Sequence, residues 1–229
     1  MASHTMHCGR LEGHPTHQWG SFFGTCCPGH EVVDGRSQCG GMGCTVHNPD
    51  QRRGGWMQTF TGRAFWPLDA RPEEVDSTDV AHALAHLCRY GGHVNEFYSV
   101  AEHCVLMSHS VPPADALAAL LHDATEAYMV DVPRPVKREF PAYGIAESRL
   151  WRVIAARYAV DETLPASVHD ADNRILLDER AALLSPPPRP WGQDLEQLQP
   201  LGVAVRCWPP LTAELRYRER LNELLEARA

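Results

Sequence analysis

Near the middle of the chain, His122 and Asp123 stand side by side in the segment HDATE, with Glu126 four residues after the histidine. An imidazole nitrogen and a carboxylate oxygen from adjacent residues at a helix edge can reach one divalent ion. Glu126 projects from the same helical face one turn on, which places a second carboxylate beside the ion's open position. Two ligands do not hold a metal, and chain geometry nominates a third. His103 precedes Ser110 by seven residues and His122 follows Ala114 by eight, so a helical hairpin folded at Pro112 and Pro113 brings the two histidines together. His93 lies roughly 15 Å further back along a helix axis and is a poorer ligand. The fourth ligand is expected from another helix. Asp172 is preferred over its competitors Asp170 and Asp178, because Val168, Asp172, Ile175 and Leu176 share one face. An acid on a buried face needs a compensating charge, and a cation supplies it.

The elements that must position these groups are helical. An apolar stripe of Val80, Ala83, Leu84 and Leu87 marks a helix from about Asp79 to Arg89, with Ser77 or Thr78 as N-cap and a stop at Gly91 and Gly92. Further helices are expected over about Glu96 to Ser110, from Ala114 to before Pro133, Tyr143 to Tyr158, Pro165 to Leu184, and Thr212 to Ala227. Residues 191–208 resist assignment. Strand signals are nearly absent, so the fold class is all-α, a helical bundle over 56–229 preceded by an irregular Cys/His-rich extension over 1–55.

With 229 residues the chain suffices for one substantial core and an appendage. Its net charge of −8 argues against a nucleic-acid partner, which would need clustered positive charge. No run approaches the roughly 18 apolar residues of a membrane span, and the N-terminus lacks a signal peptide's apolar core, so the expectation is a cytoplasmic protein without a membrane partner. Five of the eight cysteines fall in the extension. In a reducing compartment Cys26, Cys27, His30, Cys39 and Cys44 could hold a structural zinc ion, with Cys8 and His47 in reserve. Their irregular spacing leaves an arm without metal as the alternative.

From Tyr98 to Lys137 the chain reads YSVAEHCVLMSH and then LLHDATEAYMVDVPRPVK, with ADN following at Ala171 to Asn173. In this order the segments resemble the HD-domain phosphohydrolases over about Gln58 to Leu184. Specifically, they look like those of bacterial 5'-deoxynucleotidases and phage-encoded nucleotide phosphohydrolases, including dATP triphosphohydrolases. The resemblance implies that His103, His122, Asp123 and Asp172 bind one divalent transition metal, and that Glu126 and Asp131 assist the attacking water or the leaving group. It also implies that Arg89 and Tyr90 contact the nucleotide where the deoxynucleotidases have Arg-Trp, and that the protein is a dimer or higher homo-oligomer. Two departures stand out: the Arg-Tyr pair lies one residue closer to His103 than usual, and Val130 replaces the customary Gly before Asp131.

Phosphate ester hydrolysis needs a nucleophile at neutral pH and relief of charge on phosphoryl oxygens, and a divalent ion supplies both. The donor set suits Zn, Mn, Fe, Co or Ni without choosing among them. Glu126 is expected to orient or deprotonate water. Asp131 is expected to protonate the leaving oxygen, or to cap the turn before Pro133. Arg89 can fork onto phosphate, with Lys137 and His93 as further candidates, and Tyr90 offers a ring for base or sugar. The expected substrate is a (deoxy)nucleoside monophosphate or a dNTP. A nucleotide-sensing protein without turnover is the alternative, and action on a dinucleotide is a more distant one.

Overall fold

A computed structural model describes residues 52–228 and, before them, the backbone of two short antiparallel strand pairs. These are β1 (Thr5–Met6) with β2 (His17–Gln18), and β3 (Val32–Val33) with β4 (Arg36–Ser37). The chain divides into units Met1–Arg53 and Gly54–Ala229. The proposed zinc ligands Cys26, Cys27, His30, Cys39 and Cys44 lie outside the described residues.

The second unit is helical, as its apolar periodicity requires, and opens with a hairpin that the sequence reading did not anticipate. Strand β5 (Met57–Gln58) pairs with β6 (Ala64–Phe65). Gly62, at φ +83°, provides the left-handed turn residue, and Phe65 buries its ring against Tyr128 at 3.8 Å between centroids. The hairpin escapes a periodicity search because each strand is two residues long.

Helix α1 (Ser77–His86) is capped by Asp76, whose side chain accepts from the Thr78 amide at 2.8 Å, one position earlier than expected. Helix α2 (Val100–Ser108) is capped by Ser99, which accepts from the Glu102 amide. It begins four residues later than its hydrophobic pattern suggests, because residues 89–92 form a tight turn and 93–98 are not helical. The expected third helix is divided. Helix α3 (Ala116–Leu121) gives way at His122 to tightened turns, with i to i+3 bonds from the Ala124 amide to Leu121 and from the Glu126 amide to Asp123, before α4 (Glu126–Met129) resumes. Helix α5 (Arg134–Lys137) precedes α6 (Pro141–Tyr158) and α7 (Ala166–Leu183). Within the unassigned stretch lies α8 (Gln193–Glu196), and α9 (Pro210–Glu226) closes the chain.

Helices α1, α2, α3 and α9 pack on one another around Leu84, Val100, Leu120, Leu121, Tyr217 and Leu221, all buried. Each such side chain removed from water contributes about 1.5–3 kcal/mol. A second cluster joins α7 to α2 and α3 through Met107, Ala118, Ala119, Val168, Ala171 and Ile175. Three of these are alanines, small enough for α7 to pack against α2 and α3, and this packing carries Asp172 to His103. Residues 199–208 have no regular structure. They are tied down by polar bonds: Asp178 accepts from the Leu201 and Gly202 amides, and Glu102 accepts from those of Arg206, Cys207 and Trp208. None of the described helices is long and apolar enough to cross a membrane.

Candidate metal centre

His103 leaves the middle of α2 with no exposed surface, and His122 sits where α3 tightens. Each imidazole has its Nδ1 engaged. His103 Nδ1 lies 2.6 Å from Glu179 Oε1, and His122 Nδ1 lies 2.8 Å from the Ala119 carbonyl oxygen. Both acceptors fix the proton on Nδ1, so in the neutral rings both Nε2 atoms carry lone pairs. These atoms face each other at 3.3 Å. Asp123 Oδ2 is 3.2 Å from His122 Nε2 and 3.6 Å from His103 Nε2, and Asp172 Oδ1 is 3.6 Å from His103 Nε2.

Metal–nitrogen bonds of about 2.0–2.1 Å put neighbouring ligand atoms about 3.0 Å apart across a right angle and about 3.4 Å apart in a tetrahedron. The separations found here fall around those values, and two lone pairs aimed at one point ask for a cation between them. His103, His122 and Asp123 form a group, with ligand atoms all within 4.8 Å of one another, that could hold a metal ion. Asp172 stands outside that trio and reaches it through His103. Its other oxygen is 2.5 Å from Arg134 on α5, whose guanidinium also donates to Asn173 at 3.1 Å.

Electrostatics tie the trio together. Burial pushes the Asp123 carboxyl up, but His122, His103 and Arg89 overcome it and hold the group well below the usual carboxylate range. Burial likewise pulls His122 down, and Asp123 reverses this and raises it well above an ordinary imidazole. The pair thus holds a proton where a cation would take its place.

Over 128 residues the chain is 39% identical to YfdR, an uncharacterized protein of Escherichia coli (strain K12), an alignment covering 56% of this chain and 72% of that protein. The chain belongs to the YfdR family. It is also 33% identical over 126 residues to an uncharacterized protein of Rhodobacter capsulatus, covering 51% of this chain and 64% of that relative. No family model matches the chain.

Around the trio the expected accessory residues take different places. Glu126 is buried, and its Oε2 has no hydrogen-bond partner among the described residues. Burial, with Asp123 and Asp131 nearby, raises its carboxyl well above the usual range. Asp131 is also raised, by burial first. It follows Val130, whose backbone sits at φ +62° and ψ +158°, a region that is essentially glycine's alone. The Tyr143 hydroxyl clamps this turn by donating to the Met129 and Val130 carbonyls, each at 2.8 Å.

Arg89 and Tyr90 turn inward. Arg89 is buried, with Nη1 3.4 Å from Asp123 Oδ2 and Nε 3.4 Å from Glu179 Oε2. The Tyr90 hydroxyl donates to the same Glu179 oxygen, and its backbone is left-handed at φ +59°. His93 lies apart, lining a cavity with Trp191 and Pro186 to Pro188.

Glu179 is the functional residue that the sequence reading missed. It has no exposed surface and accepts from His103, Tyr98 and Tyr90. Burial raises its carboxyl, but Arg89 and His103 outweigh that and hold it at about 2. It lies seven residues after Asp172, so extending the α7 face by two turns would have found it.

A cavity of about 490 Å³ opens beside the trio, lined by His122, Asp123 and Asp172 on one side and by Glu147, Trp151 and Arg152 of α6 on the other. Lys137 also lines it, with Nζ 2.6 Å from Glu147 Oε1.

Proposed function

We propose that the protein is a metal-dependent phosphohydrolase of the HD type that removes phosphate from (deoxy)nucleotides. One observation carries the reading: the Nε2 atoms of His103 and His122 and Oδ2 of Asp123 lie 3.2–3.6 Å from one another beside an open cavity, with Asp172 Oδ1 3.6 Å from His103 Nε2. His103, His122, Asp123 and Asp172 would hold the ion. When bound, it supplies Lewis-acid polarisation of a phosphoryl group and a water of lowered pKa.

The chain's own groups do the rest. Glu126, buried with one oxygen unpartnered, is the candidate to accept a proton from the attacking water once a bound cation offsets the burial that raises its carboxyl. Asp131, on the clamped turn that follows, is the candidate to return a proton to the leaving oxygen. Lys137 lines the cavity with its Nζ paired to Glu147, so its charge is already offset within the wall. Arg89, committed to Asp123 and Glu179, holds Asp123 in place from behind. Glu179 keeps the His103 proton on Nδ1 and its lone pair on the ligand side.

The test is a product panel. Protein loaded in turn with Mn, Co, Ni, Zn or Fe is incubated with nucleoside mono- and triphosphates, and orthophosphate and tripolyphosphate are measured. Release of either, abolished by Asp123→Ala, is the expected result. No release with any metal would return the site to a binding role without turnover.

A further inference from the structure

The cavity has a second wall, and we propose that Trp151 on it is the seat of the nucleobase, a deepening that rests on the phosphohydrolase reading above. The sequence reading offered the Tyr90 ring for base or sugar, but the Tyr90 hydroxyl is committed to Glu179 and the residue does not line the cavity. Trp151 is the single indole or phenyl ring among the described residues that do.

The local structure suits it to stacking. Glu147, Ser148, Trp151 and Arg152 fall at i, i+1, i+4 and i+5 of α6, one face of the helix, and all four line the cavity. The indole Nε1 donates to the Glu162 carbonyl at 2.7 Å, which satisfies the ring's polar edge and pins it to the 161–164 loop. A partly buried tryptophan with its N–H engaged offers its π face as the remaining recognition surface. Leu164 and Val168 add apolar wall in the same cavity. A substrate with phosphate at the trio must extend its organic part into this space, and any base has a face to stack. Lys137 and Arg152 are matched within the wall by Glu147 and Glu162, so the charge there is already balanced and the distal wall favours an uncharged group.

The experiment compares kcat/KM for a deoxynucleoside monophosphate with that for deoxyribose 5-phosphate, which lacks the base, in metal-loaded wild type, Trp151→Leu and Trp151→Phe. Stacking contributions of the size seen with other aromatic platforms predict that Trp151→Leu lowers the nucleotide-to-sugar ratio by about 5- to 150-fold, chiefly through KM. Trp151→Phe, which keeps a ring, retains most of the ratio. A ratio unchanged in Trp151→Leu overturns the proposal. If wild type hydrolyses neither compound, the phosphohydrolase reading falls, and calorimetric titration of dAMP decides the stacking role separately. Weaker binding in Trp151→Leu than in Trp151→Phe supports it, while equal binding, or none to wild type, overturns it. Loss of the helical circular dichroism of Trp151→Leu would shift the comparison to wild type against Trp151→Phe and Trp151→Tyr, where a fall below fivefold is expected and a collapse of the ratio overturns the proposal.

Discussion

Replacing Glu179 with Gln removes one charge and changes the shape of the side chain very little. Oε1 accepts from His103 at 2.6 Å and Tyr98 at 2.9 Å, and a glutamine oxygen can keep both bonds. At the other position an NH₂ group would then face Arg89 and the Tyr90 hydroxyl, leaving a buried guanidinium with Asp123 as its remaining counter-charge. Holding the Glu179 carboxyl at about 2 against an ordinary 4.5 corresponds to roughly 3 kcal/mol, close to the 3–5 kcal/mol lost when one partner of a buried ion pair is removed. A loss of about 3 kcal/mol lowers the melting temperature of a chain this size by about 6–12 °C. Because the folded-state value is depressed, this stabilisation is fully present above pH 4.5 and is lost as pH falls toward about 2, so acid should narrow the gap between variant and wild type. The second readout is metal affinity. Outer carboxylates on metal-binding histidines are worth about 10–100-fold, and a competition titration with Co²⁺ should show a loss in that range. A variant that melts within a degree of wild type and binds Co²⁺ equally would refute the positioning role of Glu179.

Three further outcomes follow from the same geometry. Val130→Gly should stabilise the fold by about 1–2 kcal/mol, since relief of the backbone conformation (about 1–3 kcal/mol) exceeds the entropy that glycine adds to the unfolded chain; a lower melting temperature contradicts this. Asp172→Asn should weaken Co²⁺ binding at least tenfold, whereas Arg134→Ala, whose guanidinium is half exposed and screened, should change it by less than tenfold; equal losses would mean that Asp172 serves Arg134 and not the ion. Metal affinity should fall as pH is lowered, because Asp123 holds His122 in its protonated form and the ion must displace that proton; an affinity flat between pH 8 and 6 would exclude proton release at the site.

The amphipathic stripes made the helical class and most helix positions readable, and the His-Asp pair with His103 nine residues before a proline hinge pointed to the trio. What stayed hidden depends on contacts between segments far apart in the chain. Glu179 looks like one acid among many until α7 packs on α2 and its carboxylate meets His103, 76 residues away in sequence. Arg89 looks like a ligand for phosphate and Tyr90 like a ring for base or sugar until the 89–92 turn carries them inward to that same carboxylate. The β5–β6 hairpin was missed because two-residue strands have no period to detect.

By itself, then, the order of residues determined which groups could bind an ion and which faces of the helices must be buried, since both follow from local spacing at 3.6 residues per turn. Only the tertiary structure decided how those groups are oriented and what surrounds them. The side of an imidazole that faces the metal site, the acid that neutralises Arg89 and the ring that walls the cavity are set by packing between elements, which local periodicity does not encode.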